Sequence, residues 1–82
     1  MNQEEIKKIV FQLLQRIAPE TDPSQLMPEE NIREALNIDS FDVLQFIVSI
    51  SEKLNVDVPE EDYGQTSSLK SLLAYLDKKL NG

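Results

Sequence analysis

Leu36-Asn37-Ile38-Asp39-Ser40-Phe41-Asp42 leads into Val43-Leu44-Gln45-Phe46-Ile47-Val48-Ser49-Ile50, and this stretch decides the fold. Val43, Phe46, Ile47, Ile50 and Leu54 fall on one arc at about 100° per residue, so a helix is expected from Asp39 as N-cap to about Leu54, with that arc in a core. Asp39 can accept a hydrogen bond from the free amide of Phe41 or Asp42, and its charge complements the positive end of the helix. Ser40 therefore stands as a hydroxyl at a helix start, where a long polar connection ends. The chain has no histidine and no cysteine, so nothing in it can turn Ser40 into a nucleophile for catalysis. A positioned serine without catalytic machinery suits being modified.

The same helix carries a second apolar arc, Phe41, Leu44 and Val48, bordered by Gln45 and Glu52. Asp42, Ser49 and Lys53 take the opposite, solvated side. A small bundle does not need two apolar stripes on one helix. Either this second stripe is an exposed docking surface for a partner, or the long connection folds over it.

Outward from this helix the chain is helical throughout. Asn2 with Glu5 makes a capping-box start, and Ile6, Val10, Leu13, Leu14 and Ile17 form the buried stripe of a first helix over Gln3 to Ile17, which Pro19 ends. Residues 18 to 38 are too long for a minimal helix–helix turn. Leu26, Met27, Ile32, Leu36 and Ile38 are expected to pin this loop to the core, with a helical turn at Glu29 to Ala35. Pro59 reads as the first position of a short third helix through Glu60-Glu61-Asp62. The last helix begins after Thr66 or Ser67 and aligns Leu69, Leu72, Leu73, Leu76 and Leu80. The expected fold is all-α: three main helices and one short one around a single core, with a long loop between the first and second helices, and residues 1–82 forming one domain.

Composition narrows the function. Fifteen acids against eight bases give a formal charge of −7, a surface that repels nucleic acid and anionic lipid. No apolar run nears the ~20 residues of a membrane span, and the acidic start Met1-Asn2-Gln3-Glu4-Glu5 is unlike a signal peptide. A monomer in the cytoplasm, without stable membrane association, is the expectation. Asp57, Glu60, Glu61 and Asp62 lack the spacing of a calcium loop and read as helix-start acids, so no metal site is assigned. Tyr63 and Tyr75 read as packing residues with exposed hydroxyls. No residue is assigned a catalytic role.

Taken together, Leu36 to Asp42, the helix after it, and Val58-Pro59-Glu60-Glu61-Asp62 before a final helix resemble the acyl carrier proteins and related phosphopantetheine-carrying domains over nearly the whole chain. In that family an Asp-Ser-Leu motif opens the second helix, and the resemblance implies that Ser40 carries a 4′-phosphopantetheine arm, with Asp39 as the cap beside it. A phosphopantetheinyl transferase, using Mg²⁺ and coenzyme A, would attach the arm, and acyl-loading and acyl-processing enzymes would be the other partners. Cargo would ride as a thioester, in fatty-acid, polyketide or related lipid biosynthesis. The chain departs from the family in having Asn37 where glycine is common, Phe41 for leucine, and Gln45 and Ser51 where glutamates often sit. On this resemblance Asp39, Asp42 and Glu52 are the acids left near a docking face made of Phe41, Asp42, Leu44, Gln45, Val48 and Glu52. An aminoacyl or D-alanyl cargo is the alternative. A helical adaptor without a prosthetic group is the third reading.

Overall fold

The computed structural model describes residues 1–82. Four α-helices follow one another: α1 over Gln3–Ile17, α2 over Ile32–Ala35, α3 over Ser40–Leu54 and α4 over Leu69–Asn81. Two 3₁₀ segments, Pro23–Gln25 and Glu60–Thr66, lie in the connections. The all-α bundle expected from the sequence is the fold observed.

Local chemistry sets the boundaries. Asn2 caps α1, its side chain accepting from the Glu5 amide at 2.8 Å while the Glu5 carboxylate accepts from the Asn2 amide. Ser68 and Ser71 form the corresponding box on α4, which starts one to two residues later than expected. The helical turn expected over Glu29 to Ala35 is shorter, because Asn31, not an upstream residue, takes the cap and bonds the Glu34 amide at 3.0 Å. The third short helix is 3₁₀ throughout, and Pro59 is its N-cap residue and not its first helical position. Pro59 lacks a side chain able to cap, and the Asp62 amide bonds its carbonyl at 2.9 Å, an i→i+3 closure that sets the tighter winding.

Helix α1 packs against both α3 and α4. Ile6, Val10 and Leu14 are fully buried, and Phe46, Ile50, Leu72 and Leu76 meet them from the other helices in one cluster of buried side chains. Leu26, Ile32 and Leu36 pin the long connection to this core, as expected. Met27 does not: it is 65% exposed, and only its backbone is held, its amide bonding the Glu30 carboxylate at 2.8 Å. Val43 was expected in the core and is half-buried instead, because α2 is a single turn and leaves the adjoining space unfilled. Ile17, Leu73 and Leu80 are half-buried at the edges of their stripes.

Tyr75 corrects another expectation. Its ring is buried and its hydroxyl is engaged, donating to Asp62 Oδ2 at 2.6 Å and so tying α4 to the 3₁₀ segment. Desolvation, the bond to Asp62, and the charges of Asp62, Asp57 and Glu61 all push its pKa up from 10.0 to about 12. A folded pKa above the unfolded one means that the neutral phenol is favoured by folding. Its contribution is complete below about pH 10 and is lost as pH rises through about 12.

Two stability measurements follow from this packing. Phe46 is 1% exposed, so Phe46→Ala should cost about 3–5 kcal/mol by urea denaturation. That is a large share of the total stability of a small domain, and an unchanged midpoint would mean that α3 is rotated differently. In alkaline titration, wild-type protein should lose stability between pH 10 and 12 more steeply than Tyr75→Phe. Parallel curves would show that the Tyr75–Asp62 bond contributes nothing.

Candidate functional site

The approach to Ser40 is built from backbone. Asn37 is left-handed at φ 53°, a conformation that asparagine adopts at lower cost than most residues. With it, the Asn37 amide bonds the Glu34 carbonyl at 3.2 Å and the Ile38 amide bonds the Arg33 carbonyl at 3.1 Å. This pair of bonds is the Schellman ending of a helix, and it reverses the chain immediately after α2. The Ile32 amide in turn bonds the Ser67 carbonyl at 2.8 Å, which fixes α2 to the segment that precedes α4. Asparagine thus fills a role usually given to glycine.

Asp39 follows in extended conformation, φ −92° and ψ 175°, and its Oδ1 accepts from the Asp42 amide at 2.9 Å. Of the two amides that the sequence offered it, Asp42 is the one bonded. The carboxylate is therefore committed to the helix end and is not a base for the neighbouring hydroxyl. Ser40 is the first residue of α3, is exposed, and its hydroxyl makes no hydrogen bond within the protein. The amides of Ser40 and Phe41, at the first two helical positions, have no intrahelical acceptor. An exposed hydroxyl beside unpaired amides at the positive end of a fifteen-residue helix fits a phosphate ester.

Beside Ser40 lies a cavity of about 460 Å³ between α2, α3 and the 3₁₀ segment. Ile32, Val43, Leu44, Phe46, Ile47 and Tyr63 give it an apolar wall, while Ser40, Arg33 and Glu60 are among its polar lining. Nothing in the sequence points directly to this cavity. Its one trace was Val43, an apolar residue on the core arc whose opposing element, α2, is too short to cover it. A second depression of about 520 Å³ runs along α1 beside Pro23–Gln25, is lined mainly by polar side chains and includes none of the residues around Ser40.

The second apolar stripe is bare. Phe41 is 63% exposed, Leu44 43% and Val48 46%, so the long connection does not fold over them. Gln45 and Glu52 are exposed on the same side of α3, whereas Asp42 is half-buried on the other flank of the helix. Leu44 belongs both to this stripe and to the cavity lining, which makes the two features continuous with Ser40. No helix is long and apolar enough to cross a membrane.

Comparison with known proteins gives the geometry a context. Residues 5–76 match the family model described as phosphopantetheine attachment site. An acyl carrier protein of Helicobacter hepaticus is 28% identical over 74 residues, covering 90% of this chain and 91% of that one. An acyl carrier protein of Thermosynechococcus vestitus is 28% identical over 81 residues, covering 98% of each. A meromycolate extension acyl carrier protein of Mycobacterium tuberculosis is 27% identical over 78 residues, 95% of this chain and 67% of that protein.

Proposed function

The chain belongs to the phosphopantetheine attachment family, and from that premise we infer that Ser40 is the attachment point of an arm on which acyl groups are carried. It is an acyl carrier protein with 4′-phosphopantetheine as its prosthetic group. The observation that carries the assignment of Ser40 is its free, exposed hydroxyl on the first residue of α3, beside amides that no protein group accepts from.

Attachment asks little of this chain. Ser40 Oγ would bond to the pantetheine-bearing phosphorus of coenzyme A as the pyrophosphate link breaks. Adenosine 3′,5′-bisphosphate would leave, and the serine proton would pass to a base on the transferase, since the chain supplies no histidine. The Ser40 and Phe41 amides would hold the resulting diester, and Asp39 would keep the helix end formed. When attached, the arm supplies a terminal thiol for thioester formation with the cargo. The apolar wall of Val43, Leu44, Phe46 and Ile47 gives an acyl chain a dry place beside its point of attachment. Dependence on coenzyme A and on acyl-processing enzymes supports the reading that this work is done in the cytoplasm.

Partner enzymes would dock on the exposed side of α3, with Phe41, Leu44 and Val48 as the apolar centre and Gln45 and Glu52 at its margin; Asp42, expected on this face, is half-buried on the other flank and lies outside it. With glutamine at 45 and serine at 51, this side offers few acids. Contact there depends more on burial than on charge, and salt screens exposed ion pairs but not apolar contact.

Intact mass after treatment with a phosphopantetheinyl transferase and coenzyme A should rise by one arm, and Ser40→Ala should show no rise. A rise in that variant would move the attachment elsewhere. Loading rates of the arm-bearing protein by its acyl-loading enzyme should fall more for Leu44→Ala or Val48→Ala than for Glu52→Gln, with a small effect of moderate salt. If Glu52→Gln costs more and salt abolishes loading, docking is electrostatic.

A further inference from the structure

We propose that Arg33 is a positioning residue for the arm: its guanidinium pairs with the phosphodiester on Ser40 and holds the root of the arm toward the cavity. The inference rests on Ser40 being the attachment point. Arg33 and Ser40 line the same cavity, and Arg33 is the only cationic side chain in that lining. It is exposed and takes part in no ion pair; the single ion pair of the protein is Lys70–Glu29, at 3.8 Å on the surface. Its backbone is held relative to Ser40, because the Arg33 carbonyl accepts the Ile38 amide at 3.1 Å within the turn that delivers Asp39 and Ser40, and its exposed side chain is free to reach the arm.

The electrostatics give such a cation a task. Asp39 and Asp42 stand beside Ser40 at the start of α3 and Glu60 shares its cavity lining, in a chain of net charge −7. A phosphodiester adds a permanent anion to this acidic surface. Two helix amides solvate one side of it, while nearby carboxylates push it outward. A guanidinium can give a phosphate two parallel hydrogen bonds with a defined geometry, which an ammonium cannot. An arm held this way starts its course over Ile32, Val43 and Leu44 and not into open solvent. The backbone bonds of Arg33 use its carbonyl alone, so replacing the side chain leaves the turn intact.

The test is phosphorus NMR of the arm-bearing protein, after intact mass has shown that the arm is attached. Wild type, Arg33→Ala, Arg33→Lys and Arg16→Ala are compared, with the last as a control at the far end of α1. The wild-type resonance should be displaced from its position in urea-unfolded protein, and should move back toward it as salt is added. Arg33→Ala should lie near the unfolded position from the start and respond weakly to salt. Arg33→Lys should lie between, and Arg16→Ala should match wild type. Superimposable amide spectra of the unmodified variants would show that the fold is kept. A resonance and salt response in Arg33→Ala equal to wild type would overturn the inference and leave the attachment at Ser40 standing. An effect of Arg33→Ala confined to arms bearing a carboxylate-containing cargo would also overturn it, assigning the cation to cargo selection. Absence of any mass increase in wild type would instead remove the premise that Ser40 is modified.

Discussion

One shared core has to hold the whole domain together. The chain has no cysteine with which to staple itself, and at 82 residues it is close to the size at which a single core becomes marginal. Each long helix accordingly gives its best apolar stripe to the same cluster, and α1, touching both α3 and α4, joins the stripes. Under that constraint an apolar residue left outside the core is conspicuous. Helix α3 leaves three of them, Phe41, Leu44 and Val48, along one side, while Phe46, Ile47, Ile50 and Leu54 occupy the other. The helix is divided between a face that holds the domain together and a face that stays exposed, and Ser40 begins it.

Most of the fold was legible because its signals are local. The Asn2–Glu5 box and the Asp39 cap each need only a side chain and an amide three residues away, so their readings survive folding unchanged. Stripes at helical spacing are similarly robust where both neighbours are long helices. Legibility failed where a residue's fate depended on a distant element. Val43 lies on the core arc of α3, yet what opposes it is the single turn of α2, whose length is set by the competition between Asn31 and upstream residues for the cap. Tyr75 could be read as a packing residue, but its partner Asp62 lies thirteen positions away across a 3₁₀ segment that no periodicity announces. Met27 looked like an anchor by its chemistry alone, and the anchoring was done by Leu26 beside it.

At the site the same division holds. Ser40 and its cap were readable from seven consecutive residues, whereas Asn37 stood out only as a departure from the family's glycine and its left-handed backbone emerged with the structure. The bareness of the second stripe was not, because a helical wheel describes one helix and coverage is decided by another element. The cavity was equally hidden, since its walls come from three segments separated by long stretches of chain. Arg33 is hidden for a related reason: in sequence it is an ordinary polar residue of a short helix, and only the turn that folds back on its carbonyl brings it into the same cavity lining as Ser40.

The arrangement separates what must stay fixed from what must stay free. Asp39 spends its carboxylate on the Asp42 amide, so the helix start is rigid and the carboxylate is withdrawn from the hydroxyl beside it. Ser40 remains unbonded and exposed, open to an external enzyme that supplies its own base. An apolar face next to such a site invites self-association, and the net charge of −7 opposes that by repulsion between copies of the chain. Acidity can therefore keep the protein dispersed even where the exposed apolar side of α3 holds few acids. Charge over the whole surface and the apolar face then have different consequences on the proposed reading, the first limiting association between like chains and the second rewarding a partner shaped to cover Phe41, Leu44 and Val48.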